Sequence, residues 1–128
     1  QGEKGWSFMR QYGLSKLCNV LFTLELAKRV AGSGVMVNAL HPGAVATRLG
    51  QNNGTWAKAL TLLLRPFFLT PAQGAETSLY LASSPDVDGM SGGYFVKRRR
   101  ATPTPEASNP GNAAQLWELS ARLTGLPA

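Results

Sequence analysis

Apolar positions along this chain follow one period and then another, and the change of period marks out its elements. From about Met9 or Tyr12 to Val30, apolar residues at positions 14, 17, 18, 20, 21, 22, 24, 26 and 27 run nearly all the way round a helix. That pattern predicts a helix buried on more than one side. One side is expected to face a sheet and the other a further helix, including one from a second copy of the chain. Glu25 and Arg29, at i and i+4, predict a wetter face near its end, and Gly32-Ser33-Gly34 a stop. Val35 to Leu40 is short, β-branched and apolar, bounded by glycine and by His41-Pro42-Gly43. It reads as a buried strand of a parallel sheet. Thr55 to Phe68 is strongly apolar and predicts a helix up to Pro66, either a lid over an apolar substrate or a core or partner-contact helix. Thr70-Pro71 has the form of an N-cap followed by a first-turn proline, opening a helix that ends before Pro85. Residues 91–96 read as a turn and a second strand. Ala113 to Leu123 reads as a last amphipathic helix, with Leu116, Leu119 and Leu123 on one face and Trp117 beside them.

A long helix, a tight turn and a buried strand make half of a βαβ unit. The fold class is therefore α/β with a parallel sheet. Pro42-Gly43 turns the chain at the carboxyl end of the first strand, where open α/β sheets bind their ligands.

Composition narrows the classes of function. The chain has 128 residues, 44% of them hydrophobic, which allows one packed domain. No apolar stretch approaches the roughly 18 residues needed to cross a membrane, and no signal peptide is visible. The lone cysteine, Cys18, has no internal disulfide partner. This fits a reducing compartment, and the expected location is cytoplasmic. With one histidine and one cysteine, no metal site is expected. The net charge of +6 is concentrated in Lys97-Arg98-Arg99-Arg100. That run lacks the interleaved aromatics of a single-strand binder. Such a run can contact nucleic acid or anionic lipid, but it reads here as a solvated turn after a strand, with no nucleic-acid partner expected.

The chemistry lies at the start of the first helix, in Tyr12-Gly13-Leu14-Ser15-Lys16. Four residues apart, Tyr12 and Lys16 share a helix face. A free phenol ionises only near pH 10, and an ammonium beside it favours the phenolate and suits it to proton transfer. By itself the spacing is common.

Together with His41-Pro42-Gly43-Ala44-Val45-Ala46-Thr47 and Ser91-Gly92-Gly93-Tyr94-Phe95, the motif resembles the C-terminal half of a short-chain dehydrogenase/reductase. The wording from Tyr12 to Leu26 and the closing Leu116-Trp117-Glu118-Leu119-Ser120 look most like the retinol-dehydrogenase-like branch. The resemblance implies the C-terminal part of a Rossmann-like, doubly wound parallel sheet, with a lid helix and a C-terminal helix. It implies a single incomplete domain over 1–128: a loop at 1–11, then the catalytic helix, two strands and the lid over 12–98. A connector over 99–112 and a terminal helix over 113–125 complete it. Tyr12 then matches the catalytic acid/base, and Lys16 the residue that assists it and bonds the nicotinamide ribose. Pro42, Gly43, Val45 and Thr47 match the loop holding the nicotinamide end of NADP or NAD, with Val45 acting through its backbone. His41 is expected to be structural and Cys18 a core residue.

Parts of the family pattern are absent. There is no glycine-rich phosphate turn, and the catalytic serine would lie before Gln1; Ser7 is too close to Tyr12 to be that residue. The expectation is a fragment, inactive alone, marginally stable or self-associating, and without tight dinucleotide binding. Its parent is expected to be an NAD(P)-dependent oxidoreductase acting on a lipophilic alcohol/carbonyl pair. Such a parent would be a homo-oligomer through the Tyr12–Val30 helix. The competing readings are a non-catalytic Rossmann-like association module and an epimerase or dehydratase that shares the Tyr-x-x-x-Lys motif.

Overall fold

The computed structural model describes residues 7–45 and 68–126. The elements run α1 (Phe8–Arg29), β1 (Ala39–His41), α2 (Pro71–Ser83), β2 (Tyr94–Val96), β3 (Arg99–Ala101) and α3 (Pro110–Thr124). Single 3₁₀ turns occur at Pro85–Val87 and Glu106–Ser108. The expected helix over Thr55–Pro66 lies outside the described residues.

The sheet has the order β1-β2-β3. β1 and β2 pair in parallel, with Leu40 opposite Phe95, while β3 runs antiparallel to β2, with Arg100 opposite Phe95. The α/β class with a parallel strand pair is therefore present, as a partial Rossmann-like fold. Phe95, in the central strand, is 2% exposed.

Several expectations change at the edges of elements. The helix starts at Phe8, so residues 8–11 are helical where a loop was expected; Phe8 stacks on Tyr12 one turn on, with ring centroids 6.2 Å apart. The first strand is Ala39–His41, so it takes only the last two residues of the apolar run and ends on the histidine beyond it. Upstream, other partners replace the ladder: the Ser91 hydroxyl accepts from the Val37 N–H at 3.0 Å. The Asn38 side chain donates to Met90 O at 2.7 Å and accepts from Gly93 N at 2.9 Å. The expected connector over 99–112 is largely structured. Arg99–Ala101 is a third strand, and α3 already begins at Pro110, where Asn109 caps the helix by accepting from the N–H groups of Gly111 and Asn112. Proline suits the first turn, whose N–H has no intrahelical partner.

Side-chain burial corrects the reading of the helix faces. Glu25, expected on a wet face, is 5% exposed and accepts from Arg29 Nε at 2.9 Å. The cause is α3, which packs on the C-terminal half of α1. The Arg29 guanidinium lies over the Trp117 ring at 4.5 Å, and Trp117 stacks on Phe22 at 5.3 Å. The buried face of α3 is correspondingly Ala113 and Ala121, flanking Trp117, while Leu119 and Leu123 point outward. Two helices approach more closely through alanines than through leucines, which is why the small face won. The N-terminal half of α1 is not buried all round: Phe8, Met9, Tyr12 and Leu14 are exposed.

The basic run forms the tip of a hairpin. Lys97 (φ 49°) and Arg98 (φ 62°) are both left-handed, the sign pattern of a type I′ turn. The Arg98 N–H donates to the Thr77 hydroxyl on α2 at 3.2 Å, tying the tip down. Type I′ turns favour Asn-Gly because those residues tolerate positive φ. Lys97→Asn combined with Arg98→Gly is therefore expected to raise stability by about 1–2 kcal/mol. A shift of the urea midpoint to higher concentration at unchanged slope checks this; a lower midpoint would refute it.

Candidate functional site

Tyr12 and Lys16 sit in the first turns of α1, on one face. The Lys16 ammonium lies 5.2 Å from the centre of the Tyr12 ring, within the range of a cation–π contact. Tyr12 is 41% exposed, so its hydroxyl is open to a ligand. Ser15 does not point away as a third reactive group: its hydroxyl donates to the Tyr12 carbonyl at 2.7 Å, within the same helix. The sequence spacing thus produces a real side-chain pair.

The second part of the site is the turn after β1. Pro42 leaves the strand, and Gly43 takes φ 86°, a value that favours glycine. A β-carbon on Gly43 would also lie 2.7 Å from the Leu69 Cδ1 atom. Ala44 and Val45 then run beside Leu69: the Leu69 N–H donates to the Ala44 carbonyl at 2.8 Å, and Val45 and Leu69 form a parallel bridge. Leu69 immediately precedes the capping box of α2, in which Thr70 Oγ1 accepts from Gln73 N while Gln73 Oε1 accepts from Thr70 N. The Val45 side chain rests against Gly74 in the same helix. Pro42, Leu69, Gln73, Glu76, Thr77, Lys97 and Arg98 surround a pocket of about 260 Å³ beside this turn.

Pro42, Gly43 and Val45 are therefore brought together as one braced turn at the carboxyl end of β1. Thr47 lies outside the described residues. Among the described residues, no hydrogen bond links Tyr12 or Lys16 to the turn, so the two halves of the site are separate clusters held by the same fold. His41 ends β1 opposite Val96 and is exposed. Cys18 is half-buried on α1. No cluster of metal-ligating side chains occurs among the described residues, and no helix there is long and apolar enough to cross a membrane.

Reading along the sequence missed Asn38, which pins the turn before β2, and Gly74, which receives Val45. Gly74 was visible only as a glycine inside a predicted helix. Such a glycine is a sign of close approach when it carries no capping role.

The sequence model of the short chain dehydrogenase family matches residues 1–58, which include both Tyr12-x-x-x-Lys16 and the Pro42–Thr47 loop. Retinol dehydrogenase 14 of Homo sapiens is 45% identical over 123 residues, covering 90% of this chain and 35% of that protein. Retinol dehydrogenase 13 of Mus musculus is 46% identical over 120 residues, covering 90% of this chain and 36% of that protein. Retinol dehydrogenase 12 of Mus musculus is 41% identical over 126 residues, covering 98% and 40% respectively. The chain thus spans 35–40% of the length of these relatives. By the Tyr-Lys pair, the braced Pro-Gly turn and this similarity along nearly its whole length, the chain belongs to the short-chain dehydrogenase family, on its retinol-dehydrogenase-like branch.

Proposed function

We propose that this chain is the catalytic-helix half of an NAD(P)-dependent oxidoreductase that interconverts an alcohol and a carbonyl on a lipophilic substrate. The observation that carries the reading is the Lys16 ammonium lying 5.2 Å from the ring of an accessible Tyr12. The phenol hydroxyl passes a proton to or from the substrate oxygen, with the Lys16 ammonium held beside its ring. In this reading Lys16 also bonds the ribose of the nicotinamide nucleotide, and Pro42, Gly43, Val45 and Thr47 hold its nicotinamide end.

The described part of the loop fits that task. Gly43 leaves no side chain over the turn, and the Ala44–Leu69 hydrogen bond holds the Val45 backbone in place. NAD or NADP, when bound, supplies the hydride chemistry, and the protein orients it and moves the proton. The names of the three relatives given above, retinol dehydrogenases 12, 13 and 14, support the lipophilic alcohol. The test is a turnover assay on lipophilic alcohols and carbonyls with each nicotinamide cofactor, using the full-length enzyme of which this chain is a segment. No cofactor oxidation or reduction with any of them would reject the reading.

The segment reading is itself part of this proposal, and the sheet supports it. β1 has β2 on one side and no strand on the other among the described residues. An unpaired edge of this kind is a place for another strand. The 128-residue chain alone is accordingly expected not to bind a dinucleotide tightly. A titration with NADH and NADPH checks this, and saturation at micromolar cofactor would contradict it.

The exposed Phe8, Met9, Leu14 and Phe22 of α1 favour a second reading, in which this helix serves association. In the enzyme that association is a homo-oligomer through α1; in a non-catalytic module it would be the whole function. Loss of turnover on changing Tyr12 separates the two.

A further inference from the structure

Gly74 occupies a place where a glycine is a poor choice for the helix itself. It is buried within the first turns of α2, not at an end where a left-handed cap would need it. A β-carbon at this position would lie 2.5 Å from Val45 Cγ2 and 3.1 Å from Val45 Cγ1. Val45 has little room to yield, since a β-branched side chain is stiff about χ1. The helix has little room either. Its start is closed by the Thr70–Gln73 capping box, and the residue before it, Leu69, is hydrogen-bonded to Ala44 and bridged to Val45. Residues 44–45, 69–70 and 73–74 form a closed circuit, in which the bare backbone of Gly74 faces the Val45 side chain.

We propose that Gly74 is a positioning residue for the cofactor turn: by having no side chain it seats Val45 against α2 and so fixes the Val45 backbone. This rests on the reading that the Val45 backbone holds the nicotinamide end. Any side chain at position 74 displaces Val45, and the displacement passes to the backbone of residues 44–45. The turn would then hold the nicotinamide end less well, which weakens cofactor binding although no residue that touches the cofactor has been replaced.

The experiment compares Gly74→Ala, Val45→Ala and the double variant in the full-length enzyme. Gly74→Ala is expected to raise KM for the nicotinamide cofactor about tenfold with a smaller change in kcat. It should also speed exchange of the Leu69 amide proton, which is bonded to Ala44. Val45→Ala alone should raise cofactor KM less than Gly74→Ala does, because it loosens the seat without a clash, and the double variant should return cofactor KM to within about threefold of the Val45→Ala value by removing the clash. Helix propensity alone predicts the reverse, since alanine is the better helix residue. An unchanged cofactor KM in Gly74→Ala, or no rescue in the double variant, overturns the proposal. Full turnover in Tyr12→Phe would instead overturn the functional reading beneath it.

Discussion

In Tyr12→Phe, turnover of the full-length enzyme is expected to fall by about 10²–10⁴-fold, the range spanned by a positioned general acid or base. The substitution removes the hydroxyl and leaves the ring. Phe8 still has an aromatic partner at 6.2 Å and Lys16 still has a ring face at 5.2 Å. Because Tyr12 is exposed on a helix whose packing lies further along, near Leu21 and Glu25, stability should barely change. Cofactor affinity, followed by titration of the nicotinamide fluorescence, should stay within about threefold, since the ribose contact assigned to Lys16 remains. Lys16→Met supplies the contrast: it removes both the cation beside the phenol and the ribose contact, so affinity and turnover fall together. Turnover within a few-fold of wild type in Tyr12→Phe would remove the basis for the oxidoreductase assignment.

The largest effect on folding is expected from Phe95→Ala. Among the described residues Phe95 is the one large aromatic side chain of the core, 2% exposed in the central strand. It packs so closely on Gly93 that a β-carbon there would come within 2.6 Å of its ring. Truncating such a residue costs about 3–5 kcal/mol, through lost transfer energy and the cavity left behind. Among the described residues the other buried apolar side chains are Leu21 and Val87 with three alanines, Ala107, Ala113 and Ala121. With total stabilities of ordinary domains at only about 5–15 kcal/mol, the variant should lose its cooperative thermal transition. Leu123→Ala is the control. That side chain is 78% exposed and should shift stability by no more than about 0.5 kcal/mol. A sharp, near-wild-type melting curve for Phe95→Ala would show that the sheet is held by something other than this core.

The hairpin at Lys97-Arg98 shows how far a run of charges can mislead. Four consecutive basic residues invite a reading as a solvated turn, and all four are exposed. Yet Arg99 and Arg100 are strand residues paired with Val96 and Phe95. Pairing is a property of the partner strand, which has no signature within the run itself. The anchoring of Arg98 to Thr77 spans 21 positions, beyond any local pattern. Glu25 is a similar case. Its i,i+4 partner was legible, but its burial depended on α3, almost ninety residues further on in the sequence.

The sequence by itself determined the Tyr12–Lys16 pair, the Pro42-Gly43 turn after a parallel strand, the capped start of α2, and the family. Each depends on residues within a few positions of one another, where helical spacing, fixed proline φ and capping hydrogen bonds act directly on the chain. Only the tertiary structure decided which faces are buried. It turned the alanine face of α3 inward, made a strand of two arginines and closed Val45 against Gly74. Those outcomes depend on the distances between elements far apart in the chain. A small residue matters there through the space it leaves, and no local pattern records that space.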